Sequence, residues 1–446
     1  MLMSDNHRPM PEGAVLQEES PVFEPSSGRG RRHGTSRSEP FDRWFRYPAG
    51  FASDYASLLL QQLQLPTAGL VVDPFTGSGV AGTAARRAGH AFYGVEAHPL
   101  IAELAALKLD RTSEDPNGLL ATARELTLQV ITTRADIDIS GEADLTLRSF
   151  DPETLAILVS LRDLIREMQA HEWHLHLKWA LLATLRDVAS VRVGWPYQRP
   201  GSQRQPTFAD PLTRFLQRIG WMVEDMREFE ANYSSSPACR VRQGDSREAM
   251  NWSELGHGTA HGCVTSPPYL NNFDYADATR LELYFWGDVT SWSQMCAEVR
   301  SDMLTATTQQ SSVGAASDAR TLLQTYGTVG TEVSEIADRL QKERGNRSRG
   351  KEYDRVVPDY FVAIARIMEN LSTVLASGAP AVLLVGDSAP YGVYVDTPGL
   401  IAKLAKCQGF TLEEDVILRH RGQRWASNAT RHNVQLAERL VLLRRD

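Results

Sequence analysis

The stretch from Gly69 to Glu96 constrains the fold more than any other part of this 446-residue chain. Gly69 to Asp73 reads as a short buried strand, and Pro74 to Gly79 as a glycine-rich turn. A helix to about Gly89 follows, then a second strand, Ala91-Phe92-Tyr93-Gly94-Val95-Glu96. Strand, turn, helix, strand is a βαβ unit, and parallel pairing through helical crossovers implies an α/β domain. Glycines permit the tight turn and a close approach of ligand to backbone. The helix N-terminus presents amide donors, and an acid ending the second strand can accept both hydroxyls of a ribose. Gly77, Gly79 and Gly82 also satisfy Gly-x-Gly-x-x-Gly, a weak signal for a nicotinamide dinucleotide on its own. Asp73 weighs against it, because a carboxylate placed just before the glycines meets an anionic pyrophosphate badly.

A second stretch, Val264-Thr265-Ser266-Pro267-Pro268-Tyr269, follows a probable strand at Gly262-Cys263-Val264. The two prolines fix φ and donate no backbone N–H, the serine offers a hydroxyl, and the tyrosine offers a face for stacking. These groups suit a flat ring that carries an amine. Taken with Val71-Val72-Asp73-Pro74-Phe75-Thr76-Gly77-Ser78-Gly79, the chain resembles the amino-directed DNA methyltransferases of the Ser-Pro-Pro-Tyr type. Those enzymes modify cytosine N4 or adenine N6 with S-adenosyl-L-methionine.

The resemblance implies a Rossmann-like methyltransferase fold, with a central, mostly parallel sheet and largely helical insertions. It sets Asp73, Phe75, Thr76, Gly77 and Gly79 around the methionine and ribose of the cofactor, and Glu96 on the ribose hydroxyls. Asp245, in Gly244-Asp245-Ser246, would meet the adenine amine, and Tyr47 and Pro48 would close over the methionine end. Ser266, Pro267, Pro268 and Tyr269 become the catalytic group, with Phe273 or Tyr275 as a second wall for the base. In the family, serine before the prolines mostly accompanies cytosine N4, and Asp or Asn mostly accompanies adenine N6. Cytosine N4 is therefore favoured and adenine N6 is the alternative. Methylation of RNA or of protein glutamine, a non-catalytic DNA-binding subunit and a dinucleotide oxidoreductase are further alternatives. The partners implied are double-stranded DNA and a cognate restriction endonuclease or other defence-system subunits.

Composition bounds these expectations. The formal net charge is −8, so a nucleic-acid surface has to be a local basic patch. Four widely spaced cysteines suggest neither a disulfide framework nor a zinc cluster. No apolar run is long enough for a membrane span or a signal peptide, which points to the cytoplasm of a bacterial or archaeal cell, near the nucleoid, with no membrane partner.

Along the chain, residues 1–40 read as a disordered tail with a basic cluster at Gly28–His33. Residues 41–110 read as the first part of the core and 238–287 as its catalytic part. The last part, 356–446, has a helix from about Tyr360 to Leu375, a buried strand Ala381–Asp387 and a helix Pro398–Cys407. Closing strands are expected at Val416–Arg419 and Leu440–Leu443, with Arg421, Arg424 and Asn428 on the loop between them. The insertion 111–237 carries amphipathic helices at Pro152–Gln169 and Trp173–Val188. Its loop Val191–Gln205 presents Arg192, Trp195, Tyr197, Arg199 and Arg204 as DNA contacts, and makes this insertion the candidate target-recognition region. A second insertion, 288–355, ends in the basic loop Lys342–Lys351, a phosphate-contact candidate. His171, His174 and His176 read as helix-surface histidines, and no metal site is expected. Arg280 and Glu282 read as surface or packing charges, and Ser246 as a helix N-cap.

Overall fold

A computed structural model describes residues 38–48, 52–110, 116–133, 137–194, 199–233, 237–271, 274–307, 313–421 and 434–446. The tail up to residue 37, Ala49 to Phe51, Trp195, Tyr197, Phe273, Arg424 and Asn428 lie outside the described residues. The strands are β1 (Leu70–Asp73), β2 (Ala91–Glu96), β3 (Val191–Arg192), β4 (Arg199–Gln203), β5 (Cys239–Gln243), β6 (Gly262–Thr265), β7 (Pro380–Gly386), β8 (Phe410–Arg421) and β9 (Leu436–Arg445). Helices α1 (Ser53–Gln62), α2 (Val80–Arg87) and α3 (Pro99–Leu109) belong to the first part of the chain. The first insertion contributes α4 (Pro116–Thr133), α5 (Asp144–Ser149), α6 (Pro152–Glu167), α7 (His174–Val188) and α8 (Pro211–Tyr233). Then come α9 (Arg280–Trp286), α10 (Trp292–Met295), α11 (Val313–Leu323), α12 (Thr328–Gly345), α13 (Tyr353–Val374) and α14 (Thr397–Cys407).

Seven strands form one sheet in the order β5-β2-β1-β6-β7-β9-β8. The first five are mutually parallel, and β9 runs antiparallel between β7 and β8. The fold is therefore α/β and Rossmann-like, with an antiparallel hairpin closing one side. Apolar residues of β1, β6 and β7 point alternately to two helical layers. Val71, Val264, Val382 and Leu384 pack with Tyr55, Leu59, Val80 and Ala84 of α1 and α2. On the other face Val72, Cys263 and Leu383 pack with Phe361 and Met368 of α13 and Leu404 of α14. A third core, around Trp44, Trp173, Trp179, Phe215 and Phe285, joins the aromatic segment after residue 40 to the helices of the first insertion.

Several expectations change. The closing strands are 12 and 10 residues long, because their ladder continues with register shifts well beyond the apolar runs. The start of α13 lies seven residues before Tyr360, at Tyr353, and Pro358 sits inside the helix. Part of the expected loop at 191–205 is a hairpin, β3 with β4. His176 is not on the surface: it is 6% exposed, its ring sits 5.8 Å from that of Trp44 and 5.3 Å from that of Trp173, and burial pushes its pKa down to about 4. Glu282 is fully buried, paired with Arg186.

Candidate functional site

The parallel strands β1, β2, β5 and β6 all end at one edge of the sheet, where an open α/β sheet binds its ligands. A cavity opens there, about 1040 Å³ including its mouth. Its floor comes from the turn after β1. Gly77 (φ 52°) and Gly79 (φ 85°) take left-handed conformations that cost side-chain-bearing residues dearly. A Cβ on Gly79 would also lie 3.4 Å from the backbone of Ala105 on α3. The turn is fastened to the end of β2: the Gly77 amide donates to Glu96 Oε2 at 2.7 Å, and the His98 amide donates to Oε1 at 2.9 Å.

Asp73 is 2% exposed. Its Oδ1 accepts from Thr265 Oγ1 at 2.6 Å and from the Phe75 amide at 2.9 Å, whereas Oδ2 has no hydrogen bond among the described residues. Burial pushes the Asp73 pKa up to about 7 against those two bonds. Burial likewise pushes Glu96 up to about 7, against the His98 and Gly77 amides. Two acids whose ionised forms are this unfavourable mark a place where a polar or cationic ligand can compensate the charge. The hydroxyl of Ser78, also lining the cavity, is buried without a hydrogen-bond partner.

The opposite wall comes from the loop after β6. Ser266, Pro268 and Tyr269 face the cavity; Pro267 is buried beside them. The Ser266 hydroxyl donates to the Leu384 carbonyl at 3.2 Å. Tyr269 is 4% exposed, and its hydroxyl donates to Glu438 Oε1 at 2.7 Å. Burial together with Glu438 holds that phenol well above its usual pKa. The Arg421 guanidinium lies 5.0 Å from the centre of the Tyr269 ring. At the mouth Tyr47 and Tyr275 stand with ring centres 6.4 Å apart, Pro48 lines the cavity beside them, and burial pushes Tyr275 up to about 12. Arg186 ties this rim together: it pairs with Glu282 at 2.6 Å and donates to the carbonyls of Arg46 at 2.6 Å and Ala278 at 2.8 Å.

Phe75, Thr76 and Asp245 also line the cavity. Asp245 is engaged with Arg247 at 2.6 Å. It also makes the local turn, accepting from the Arg247 amide at 2.9 Å. Ser246 is not the expected N-cap; its carbonyl instead accepts from Trp252 Nε1 and Asn370 Nδ2. Of the expected DNA-contact residues, Arg192 and Arg204 are not part of the cavity lining. Arg192 is exposed on β3, Arg199 lies on β4, and the Arg204 guanidinium bonds the carbonyls of Ala189 and Arg186. Sequence reasoning missed Thr265, Ser78, Glu438 and the Asp302-Met303-Leu304 part of the lining. Thr265 adjoins the motif and was findable. Ser78 lies inside the glycine-rich turn and was findable too, whereas Glu438 and the 302–304 segment reach the site only through tertiary packing. Among the described residues no three His, Cys, Asp or Glu side chains form a metal-binding group, and no helix is long and apolar enough to cross a membrane.

No protein-family model matches the chain. Among solved structures it is similar to the rRNA methyltransferase aviRa from Streptomyces viridochromogenes, with a TM-score of 0.31 and 13% identity over 97% of this chain and 95% of that one. It is 23% identical over 279 residues to the Type II methyltransferase M.BsoBI of Geobacillus stearothermophilus, spanning 56% of this chain and 54% of that protein. It is 22% identical over 407 residues to the Type II methyltransferase M.AvaI of Nostoc sp. (strain PCC 7120), spanning 86% of this chain and 82% of that protein. Along most of its length, then, this chain is similar to proteins named type II methyltransferases.

Proposed function

We propose that the protein is a DNA methyltransferase that transfers the methyl group of S-adenosyl-L-methionine to the exocyclic N4 of a cytosine flipped out of duplex DNA. The observation that carries this reading is one cavity bounded on one side by Asp73, Gly77 and Glu96 and on the other by Ser266, Pro268 and Tyr269. The residues fit the cofactor: two buried carboxylates raised to about 7 and the orphaned Ser78 hydroxyl all call for a polar, positively charged ligand. When bound, the cofactor supplies an electrophilic methyl group on a sulfonium.

Glu96 would accept the ribose hydroxyls, Asp73 would bond the methionine portion, Asp245 would meet the adenine, and Tyr47 and Pro48 would cover the site. An exocyclic amine is a weak nucleophile because its lone pair is delocalised into the ring. The Ser266 proton is already committed to the Leu384 carbonyl, which leaves the serine oxygen as an acceptor. Accepting the amine's N–H bonds at Ser266 and the Pro267 carbonyl favours a pyramidal nitrogen with its lone pair directed into the cavity. Positioning and electrostatics then carry the rate without a covalent bond between protein and base. Tyr269 and Tyr275 wall the flipped base. A neutral serine acceptor suffices for the readily polarised cytosine amine, which favours N4 over adenine N6. The relatives named type II methyltransferases support methyl transfer; duplex DNA as substrate, a cognate restriction endonuclease as partner and the bacterial cytoplasm as setting belong to the same proposal.

The test is expression in a methylation-free bacterial host, followed by mass spectrometry of nucleosides from genomic DNA, with Ser266→Ala alongside. N4-methylcytosine that vanishes in the variant supports the reading. N6-methyladenine keeps the mechanism and changes the base. The absence of any modified nucleoside overturns the DNA reading in favour of RNA or a non-catalytic role.

A further inference from the structure

Residues 288–355 end in a basic loop that packs against the loop after β7. Residues 342–355 contain six basic and three acidic side chains in a chain of net charge −8. Glu352 and Asp354 are taken up by Arg344 and Arg355. Four cations remain: Lys342 on α12 and, in the loop itself, Arg347, Arg349 and Lys351, all exposed and without an ion pair among the described residues.

The loop is anchored on two aromatic rings. Arg347 lies 4.3 Å from the ring centre of Tyr391. The Tyr391 hydroxyl bonds the Lys351 backbone, donating to its carbonyl at 3.1 Å, and Tyr353 meets the Tyr391 ring edge-on at 5.0 Å. Tyr391 belongs to the loop after β7, and its backbone is left-handed (φ 55°). Burial raises the Tyr353 pKa, and the nearby Asn271 side chain opposes that rise. Asn271 stands two residues beyond Tyr269 and is itself left-handed (φ 58°). Non-glycine residues in that region are strained and persist where the surroundings impose them, which is frequent at functional sites. The loops after β6 and β7 leave the sheet at the edge that holds the cavity, so the three loop cations, held against the loop after β7, stand at that edge.

Resting on the DNA reading above, we infer that Arg347, Arg349 and Lys351 bind backbone phosphates of the duplex beside the flipped base, and that Tyr353 and Asn271 couple this grip to the catalytic loop. Phosphate contacts fix the register of a protein on DNA without reading sequence. An acidic protein needs such a local patch to approach a polyanion at all.

The experiment compares the full-length protein with Arg347→Ala/Arg349→Ala/Lys351→Ala. Duplex affinity is measured by fluorescence anisotropy across a salt series, and cofactor affinity by calorimetry. Each lost phosphate contact lowers the slope of log affinity against log salt by about 0.9. The triple variant is therefore expected to lose about 2 to 3 from the slope, with unchanged cofactor affinity. A charge-matched control, Arg240→Ala/Lys403→Ala/Lys406→Ala, removes exposed cations elsewhere and is expected to keep the wild-type slope. An unchanged slope in the loop variant, or an equal fall in the control, overturns the inference while wild-type methylation of DNA leaves the parent reading standing. A wild-type protein that neither binds nor methylates DNA overturns both.

Discussion

Gly386, the last residue of β7, has no room for a side chain. A Cβ built there would sit 2.0 Å from Arg421 Nη1 and 3.0 Å from Tyr269 Cδ2. The guanidinium end can swing aside, but the tyrosine ring is nearly fully buried and its hydroxyl is held by Glu438. Gly386→Ala therefore displaces Tyr269 and leaves the turn at Gly77 and Glu96 alone. The ring has to give by only a few tenths of an ångström, less than the ångström misplacement that costs about 100-fold in rate, so kcat is expected to fall by about 2- to 10-fold while cofactor affinity stays within about twofold. Steady-state kinetics and calorimetry on the same preparation check both halves. Undiminished kcat would mean that the Tyr269 position is not limiting. The glycine reads in sequence merely as the end of a buried strand, Ala381–Asp387, because its requirement comes from residues 117 positions before and 35 positions after it.

At the scale of elements, α7 and α9 are joined across the cavity rim by the ion pair of Arg186 with Glu282, the latter fully buried. Removing one partner of a buried pair leaves an uncompensated charge and costs about 3–5 kcal/mol. Arg186→Met is expected to destabilise by that amount, and Arg186→Met/Glu282→Gln to recover part of it, measured by denaturant unfolding. Because Arg186 also holds the Arg46 carbonyl next to Tyr47, the single variant should bind cofactor more weakly as well. A stability equal to wild type would show that the pair is not what fixes the rim. The same physics decides what was legible in the sequence. The strand and turn from Leu70 to Gly79, the strand Ala91–Glu96 and the Ser-Pro-Pro-Tyr loop announce themselves through local periodicity, glycine and proline. The 23-residue helix α8 does not, since its buried face includes Arg214, Arg218 and Asp225. Those charges are neutralised by Asp187 and by Arg43, from segments 27 to 182 residues away, so a hydropathy pattern reads its inner face as surface. Arg204 shows the complementary limit: a charged residue in an apparent loop suggests DNA, and nothing in the sequence signals that its guanidinium also bonds backbone carbonyls around the hairpin.

For the whole molecule, buried titratable groups set opposing pH dependences. His98 and His176 are pushed down by burial to about 3 and about 4, so between those values and 6.5 the unfolded chain binds more protons than the folded one. Their effect is that stability rises with pH and is complete above 6.5. Asp73 and Glu96 act in the other direction. With folded values raised to about 7, the native state binds more protons than the unfolded state from about pH 4 to 7, and stability falls as pH rises through that range. Buried Lys108, lowered to about 8, begins to restore stability only above that value. Between pH 6.5 and 8 the two cavity acids therefore act without opposition from these histidines or this lysine. The cofactor-free protein is expected to lose melting temperature across that interval, and Asp73→Asn/Glu96→Gln to flatten the profile. A bound sulfonium favours the ionised acids, so the thermal shift given by S-adenosylmethionine should grow from pH 6.5 to 8. The shift given by S-adenosylhomocysteine, which lacks that charge, should grow less. Melting curves of both proteins with and without each ligand decide it. A wild-type profile no steeper than that of the double variant would remove the cavity acids as the source of pH sensitivity, and equal growth for the two ligands would remove charge compensation as the basis of cofactor binding.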